Sequence, residues 1–340
     1  RYNDAPMIRD GRLVDEPGYV TNRITDDALG FLDRHADDSA PFYLGVHYTA
    51  PHSPWTGHPQ QIVDSYADCD FASCPQEPIH PWSRGHGLTE SCLGKRDMLQ
   101  GYFAAVTAMD LDVGRLLDKL EARGLRDDTL VIFASDNGFS CGHHGFWGKG
   151  NGTFPLNMYE NSVTVPFLVS QPGSVPAAVV ESGLHGACDL FPTLLQYLGL
   201  PIPDGGDRPG QSFAGLLSGP SPTGDAGHES LVVDGVSQCA EYGASRMVRT
   251  TDWKFVDRGH ELPGELYHLT EDPDERHNLI DDSGSRGQRA ELHGVLLDWF
   301  ARYGAGGPRD GRLWNISGGG QLRPVGGERQ DHGPDAFSGH

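Results

Sequence analysis

The sequence predicts an α/β fold followed by a small α+β subdomain built on an antiparallel sheet. Three observations support this. Short runs of β-branched and aromatic residues, at 42–48, 130–134 and 163–169, read as strands. Stretches of helical periodicity lie between and around them, the longest starting near Leu99. Beyond residue 230 the texture changes to short strands separated by turn signals.

In chain order, residues 1–18 are polar and turn-rich, with Gly11, Pro17 and Gly18, and read as a surface loop. From Thr21, the spacing of Ile24, Ala28, Phe31 and Leu32 predicts a helix ending near His35. Pro41 introduces a buried strand over Phe42–Tyr48, which runs into Thr49-Ala50-Pro51-His52-Ser53-Pro54-Trp55. The two prolines exclude helix and fix the backbone around His52. A rigid loop at a strand end is a place to hold an imidazole against a ligand. Residues 56–96 form a long irregular insertion rich in Pro, Gly, His and Cys, suited to a substrate rim. Leu99, Tyr102, Phe103, Val106, Met109, Val113, Leu116, Leu117 and Leu120 line one face of a long helix that Gly124 stops. Asp110 and Asp112, midway along it, read as exposed or helix-contacting residues rather than ligands.

The central stretch, Thr129–Pro166, carries the chemistry. Leu130–Ala134 has the composition of a fully buried strand and stops at Ser135-Asp136-Asn137-Gly138. An adjacent carboxylate and carboxamide at a strand end offer the hard oxygens that calcium or magnesium takes. The loop Gly142-His143-His144-Gly145-Phe146-Trp147-Gly148-Lys149-Gly150 then brings two imidazoles and an ammonium near that point, and Val163–Val169 returns to the core.

Farther on, Asp189 is the expected cap of a helix with Pro192 in its first turn and Gly199 at its end. Residues 203–228, rich in Gly, Pro, Ser and Asp, form a boundary. Leu231–Val233, Met247–Arg249, Trp253–Val256 and Glu265–Leu269 are expected strands, crossed by a helix bearing Leu292, Val295, Leu296, Trp299 and Phe300. The expected division is a large domain over 1–225, a subdomain over 226–303 and a glycine-rich tail over 304–340.

A net charge of −21 and a pI near 5.0 argue against a nucleic-acid partner. They also require that any site for an anionic ester be positive locally, through a metal and a few fixed cations. Lysine is scarce: Lys95, Lys119, Lys149 and Lys254 are the only four, which sets Lys149 apart. No apolar run approaches the roughly 20 residues that span a bilayer. The start, Arg1-Tyr2-Asn3-Asp4, has no signal-peptide character and reads as the middle of a longer chain. Six cysteines in 340 residues do not suggest a disulfide scaffold; Cys69 and Cys74 can pair or stay free.

Taken singly, these pieces are ordinary turns and loops. Their order, from strand through Asp136-Asn137-Gly138, His144-Gly145, an aromatic pair and Gly148-Lys149 to a return strand, resembles the sulfatase family of the alkaline-phosphatase-like superfamily. Ala50-Pro51-His52-Ser53-Pro54, the helix leading into the central strand, residues 185–195 and Gly264-Glu265-Leu266-Tyr267 with Asp272-Pro273 and Asn278-Leu279 extend the resemblance over most of 19–303. The resemblance implies an alkaline-phosphatase-like mixed sheet flanked by helices and hydrolysis of a sulfate monoester on a sulfated small molecule or glycan. It implies a divalent metal, calcium first and magnesium second, held by Asp136 and Asn137, with Lys149 and His52 on the sulfate oxygens and His144 in support. Family habit favours a location outside the cytoplasm. Oligomeric state is left open.

One departure stands out. The family's nucleophile is a formylglycine made from the first residue of C/S-x-P/A-x-R, and no such motif occurs here. Cys92-Leu93-Gly94-Lys95-Arg96 has glycine at the third position, and Cys74-Pro75-Gln76-Glu77-Pro78 lacks the arginine. The chain therefore reads as the C-terminal portion of a sulfatase, expected to be inactive alone. The alternatives are a phosphonate monoester or phosphodiester hydrolase of the same superfamily, and a non-catalytic remnant that binds a sulfated ligand.

Overall fold

A computed structural model of the protein describes residues 1–203, 208–218, 237–242, 245–259 and 262–303. The expected strand at Leu231–Val233, most of the 203–228 boundary and the 304–340 tail lie outside the described residues.

The N-terminus is not the loop its polarity suggested. Strands β1 (Pro6–Arg9) and β2 (Arg12–Asp15) form an antiparallel hairpin with Arg9 paired to Arg12. Asp10 and Gly11 both take positive φ in its turn, the hairpin signature that an Asp-Gly pair carries. Tyr2 is buried against Val20, Ala50 and Met109. Helix α1 (Val20–His35) ends where its periodicity predicted and packs on α4 (Arg96–Ala122). Between them lie two short helices of the insertion, α2 (Gln60–Ser65) and α3 (Gly87–Cys92).

The face that α4 buries keeps Leu99, Met109 and Leu120 of the expected one and adds small residues to it. Gly101, Ala104, Ala105 and Ala108 are buried, whereas Val106 is exposed. Small residues let the helix backbone approach its neighbours closely, which hydrophobic size alone does not reveal. A Cβ on Gly101 would lie 1.9 Å from the Trp55 carbonyl oxygen. Asp110 is exposed, and Asp112 is buried in an ion pair with Arg115, which also binds Asp26.

Helix α4 leads into β3 (Val131–Ala134). Next come the two-residue strands β4 (Ser140–Cys141) and β5 (Trp147–Gly148), which form a small antiparallel hairpin. After α5 (Glu160–Val163), strand β6 (Phe167–Ser170) pairs antiparallel with β3 in the register Phe133 to Leu168. Phe133 packs on the α1–α4 side, while Phe167 and Leu168 are exposed. Strand β3 is thus mostly half-buried and β6 largely exposed, so neither is the fully buried strand expected. Residues 42–48 alternate between half-buried and exposed, as an extended strand does, yet join no ladder among the described residues. Extended shape is local; a pairing partner is not.

Helices α6 (Leu190–Tyr197) and α7 (Ala214–Leu217) follow. Asp189 precedes α6 as expected, but its carboxylate accepts from the backbone N–H groups of Gly186 and Gln211 and does not cap that helix. In the C-terminal part three expected strands are found and a further one lies at Ser237–Tyr242. Strands β7 (Ser237–Tyr242), β8 (Ser245–Thr250), β9 (Trp253–Asp257) and β10 (Glu265–His268) form an antiparallel sheet in the order β10-β9-β8-β7. Helix α8 (Arg286–Tyr303) sets Leu292, Leu296 and Phe300 on Val248, Phe255 and Leu266.

Candidate functional site

The site is built where β3 ends. A Cβ on Gly138 would lie 2.2 Å from the Asn161 carbonyl oxygen and 2.6 Å from that of Thr164, so only glycine lets the chain turn there against the α5 segment. The Gly138 N–H donates to the Ser162 carbonyl at 3.1 Å. Ser135 Oγ donates to the Asn137 carbonyl at 2.9 Å. These contacts aim the Asn137 carboxamide at the loop beyond β5. Lys149 Nζ donates to Asn137 Oδ1 at 2.5 Å. The neighbouring Asp136 carboxylate is exposed and makes no hydrogen bond or ion pair among the described residues.

Lys149 is held by a residue that the sequence reading passed over. Asn157 is fully buried, and its Nδ2 donates to the carbonyls of Lys149 at 3.0 Å and Gly150 at 3.3 Å and to Thr153 Oγ1 at 3.1 Å. Its Oδ1 accepts from Ser162 Oγ at 2.7 Å, tying the Lys149 loop to the same segment that presses on Gly138. The only available signal was a polar residue amid the apolar Pro155, Leu156, Met158 and Tyr159.

His52 sits on a separate loop with an exposed imidazole. Its Nδ1 lies 2.9 Å from the Ser53 carbonyl oxygen, and its backbone carbonyl accepts from Tyr2 Oη at 2.7 Å. No hydrogen bond or ion pair joins it to Asn137 or Lys149 among the described residues. An aromatic wall connects the loops instead. Trp55, three residues after His52, packs tilted at 5.0 Å from Trp147, two before Lys149, and edge-on at 5.5 Å from Phe139, two after Asn137.

The C-terminal sheet buttresses the same region. Lys254, with no exposed surface, donates to the Met158 carbonyl at 2.9 Å and to Glu275 at 2.7 Å, and lies 2.5 Å from Glu160. Buried Arg258 reaches the Leu156 carbonyl and Glu265. Arg276 forms a two-pronged pair with Glu77 of the insertion, both contacts at 2.6 Å, and lies 3.4 Å from His144 Nδ1. His144 stacks on Tyr159 at 3.8 Å, and burial, then the Arg276 charge, holds its pKa down to about 3. It is a neutral spacer between Tyr159 and Arg276.

Asp136 and Asn137 offer oxygen donors of the right chemistry for a hard cation. They are two, against the roughly six to eight oxygens that calcium takes. Among the described residues no cluster of three or more His, Cys, Asp or Glu could hold a metal ion. These residues therefore fit part of a metal site.

The Sulfatase family pattern matches residues 2–200, and that of the C-terminal region of N-sulphoglucosamine sulphohydrolase matches residues 142–301. The chain belongs to the sulfatase family. This sulfatase-family chain is 24% identical to an N-acetylglucosamine-6-O-sulfatase of Bacteroides thetaiotaomicron, over 89% of this chain and 65% of that protein. It is 29% identical to an ulvan-active sulfatase of Formosa agariphila, over 84% of this chain and 53% of that one. It thus spans between half and two thirds of the length of these relatives. In fold it resembles the structure of BT4656 in complex with its substrate D-glucosamine-2-N,6-O-disulfate, with a TM-score of 0.72 at 22% identity, covering 90% of this chain and 74% of that one. It also resembles a phosphonate monoester hydrolase from Silicibacter pomeroyi, with a TM-score of 0.65 at 21% identity, covering 88% and 65%. The fold is the alkaline-phosphatase-like α/β fold with a C-terminal antiparallel-sheet subdomain. No helix among the described residues is long and apolar enough to cross a membrane.

Proposed function

We propose that the full-length protein hydrolyses a sulfate monoester on a sulfated small molecule or glycan. It uses a divalent metal, assigned as calcium with magnesium second, and a formylglycine nucleophile supplied from outside these 340 residues, which contain no C/S-x-P/A-x-R. Residues 1–340 alone are then inactive. The observation that carries the reading is the Lys149–Asn137 contact, an ammonium beside a carboxamide oxygen at a strand end.

Asp136 and Asn137 would supply oxygens to the metal, which withdraws charge from the sulfate when bound. Lys149 and His52 bind the remaining sulfate oxygens. In a protein of net charge −21 these fixed donors make the site positive where the ester sits. With His52 Nδ1 on the Ser53 carbonyl, Nε2 is the ring nitrogen left for the sulfate. Likeness to an N-acetylglucosamine-6-O-sulfatase and an ulvan-active sulfatase supports a sulfated carbohydrate as substrate.

The second reading, a phosphonate monoester hydrolase, rests on likeness of fold. The test is steady-state turnover by the full-length protein, with formylglycine confirmed by mass spectrometry, of 4-nitrophenyl sulfate against 4-nitrophenyl phenylphosphonate. A higher kcat/KM on the sulfate is expected. Preference for the phosphonate, or no turnover of either ester with formylglycine present, overturns the proposal.

A further inference from the structure

The segment after the insertion's first helix runs beside the β4–β5 hairpin. The Glu77 N–H donates to the Gly142 carbonyl at 3.3 Å. The Gln76 side-chain amide bridges the two strands of chain, donating to the carbonyls of both Cys74 at 2.9 Å and Cys141 at 2.7 Å. One NH₂ group thereby holds two cysteine backbones side by side. Cys141 is buried in the cluster of Trp55, Phe71, Cys92, Leu99 and Trp147, and Cys74 packs against that cluster. Both cysteines thus sit at one apolar cluster on adjacent segments of chain.

Their surroundings differ in a way that suits exchange chemistry. Cys74 lines an open cleft of about 340 Å³ with Phe71, Gln76, Arg96 and Leu99, and Cys141 does not. The neighbouring Cys141 pulls the Cys74 thiol down to about 7 against the effect of burial, while Cys74 and burial push Cys141 far up. The accessible member, Cys74, is the nucleophile.

We propose that Cys74 and Cys141 form a dithiol that closes to a disulfide by exchange with a small-molecule disulfide, pinning the 56–96 insertion to the hairpin that carries Lys149. The Cys74 thiolate attacks one sulfur of the reagent, breaking its S–S bond and expelling one thiolate, which takes up the proton Cys74 has lost. Cys141 then attacks the Cys74 sulfur of the mixed disulfide, its proton passing to the second thiolate expelled. Two protein thiols are oxidised, and one disulfide is reduced to two thiols. The proposal goes beyond the hydrolase reading and does not depend on it.

The test is to equilibrate the full-length protein with oxidised glutathione, alkylate it and map the unreduced digest. A peptide pair joining Cys74 to Cys141 is expected, with two fewer titratable thiols. The cross-link should raise Tm by roughly 5 °C over the dithiothreitol-treated protein. Cys74→Ser, at the cleft side, should abolish both the peptide pair and the difference in Tm. Cross-links to Cys69 or Cys92 instead, undiminished thiols, or a Tm difference that survives in Cys74→Ser overturns the proposal.

Discussion

Lys149 Nζ lies 2.5 Å from Asn137 Oδ1, so a contact between two loops fixes where the chain's scarce lysine charge points. If that ammonium binds the ester's anionic oxygen, Lys149→Ala lowers kcat/KM of the full-length enzyme by about 10²- to 10³-fold, the usual effect of removing one such donor. Lys149→Arg restores little, because a planar fork does not replace a point charge. Kinetics within tenfold of wild type for Lys149→Ala would sink this role.

Asn157 holds the loop from beneath. Asn157→Ala strands the buried Ser162 hydroxyl and removes a second donor from the carbonyls of Lys149 and Gly150, which keep the backbone N–H groups of Gly152 and residue 157. The expected loss is about 1–3 kcal/mol, the usual cost of one stranded buried group. Urea unfolding measures it, and activity should fall with it.

Gly101→Ala tests the packing that positions the His52 loop. The new Cβ would meet the Trp55 carbonyl, a backbone atom that cannot swing away. Expected is a destabilisation of about 1–3 kcal/mol, with a rise in KM as the loop bearing His52 shifts. Crystallography of the variant would read the displacement directly.

Lys254 stands between Glu160 and Glu275 with no exposed surface. Burial raises the Glu275 pKa. For Glu160 burial acts in the same direction, but Lys254 and Arg249 outweigh it and the net shift is down. Lys254→Met leaves buried Glu275 without a cation and Glu160 with Arg249 alone, a loss of about 3–5 kcal/mol by denaturant titration. Adding Glu275→Gln should recover part of it, and an additive double mutant would count against the pairing.

His144 supplies a pH signature. Its pKa is held near 3 by burial and by Arg276, below the value of about 6.5 expected in the unfolded chain. Between those values the unfolded state binds the extra proton. Stability is therefore full above about pH 6.5 and falls as pH drops toward 3, by a few kcal/mol at most. His144→Asn tolerates the residue's positive φ of 54° and removes the titrating group. The variant should flatten the pH dependence of Tm across that window.

Much of the fold was legible because it is local. The bounds of α1, the C-terminal strands at 247–249, 253–256 and 265–268, and the apolar face of α8 follow from periodicity and turn residues. The β1–β2 hairpin was legible in principle, in Asp10-Gly11, and was obscured by the polar residues around it. Of the candidate site, Asn137 and Lys149 come together, whereas His52 is joined to them only through Trp55, Trp147 and Phe139.

The sequence by itself determined the family, the bounds of α1 and the C-terminal strands at 247–249, 253–256 and 265–268, because these are carried by neighbours a few positions apart. Only the tertiary structure decided what supports them. Gln76 bridges two cysteines separated by 67 positions, 74 to 141. Asn157 holds the Lys149 carbonyl from eight positions away. Arg276 grips Glu77 across 199 positions. Small residues on α4 matter because a backbone comes close. None of these leaves a periodic trace, because a hydrogen bond or close approach between distant segments exists only once the chain has folded.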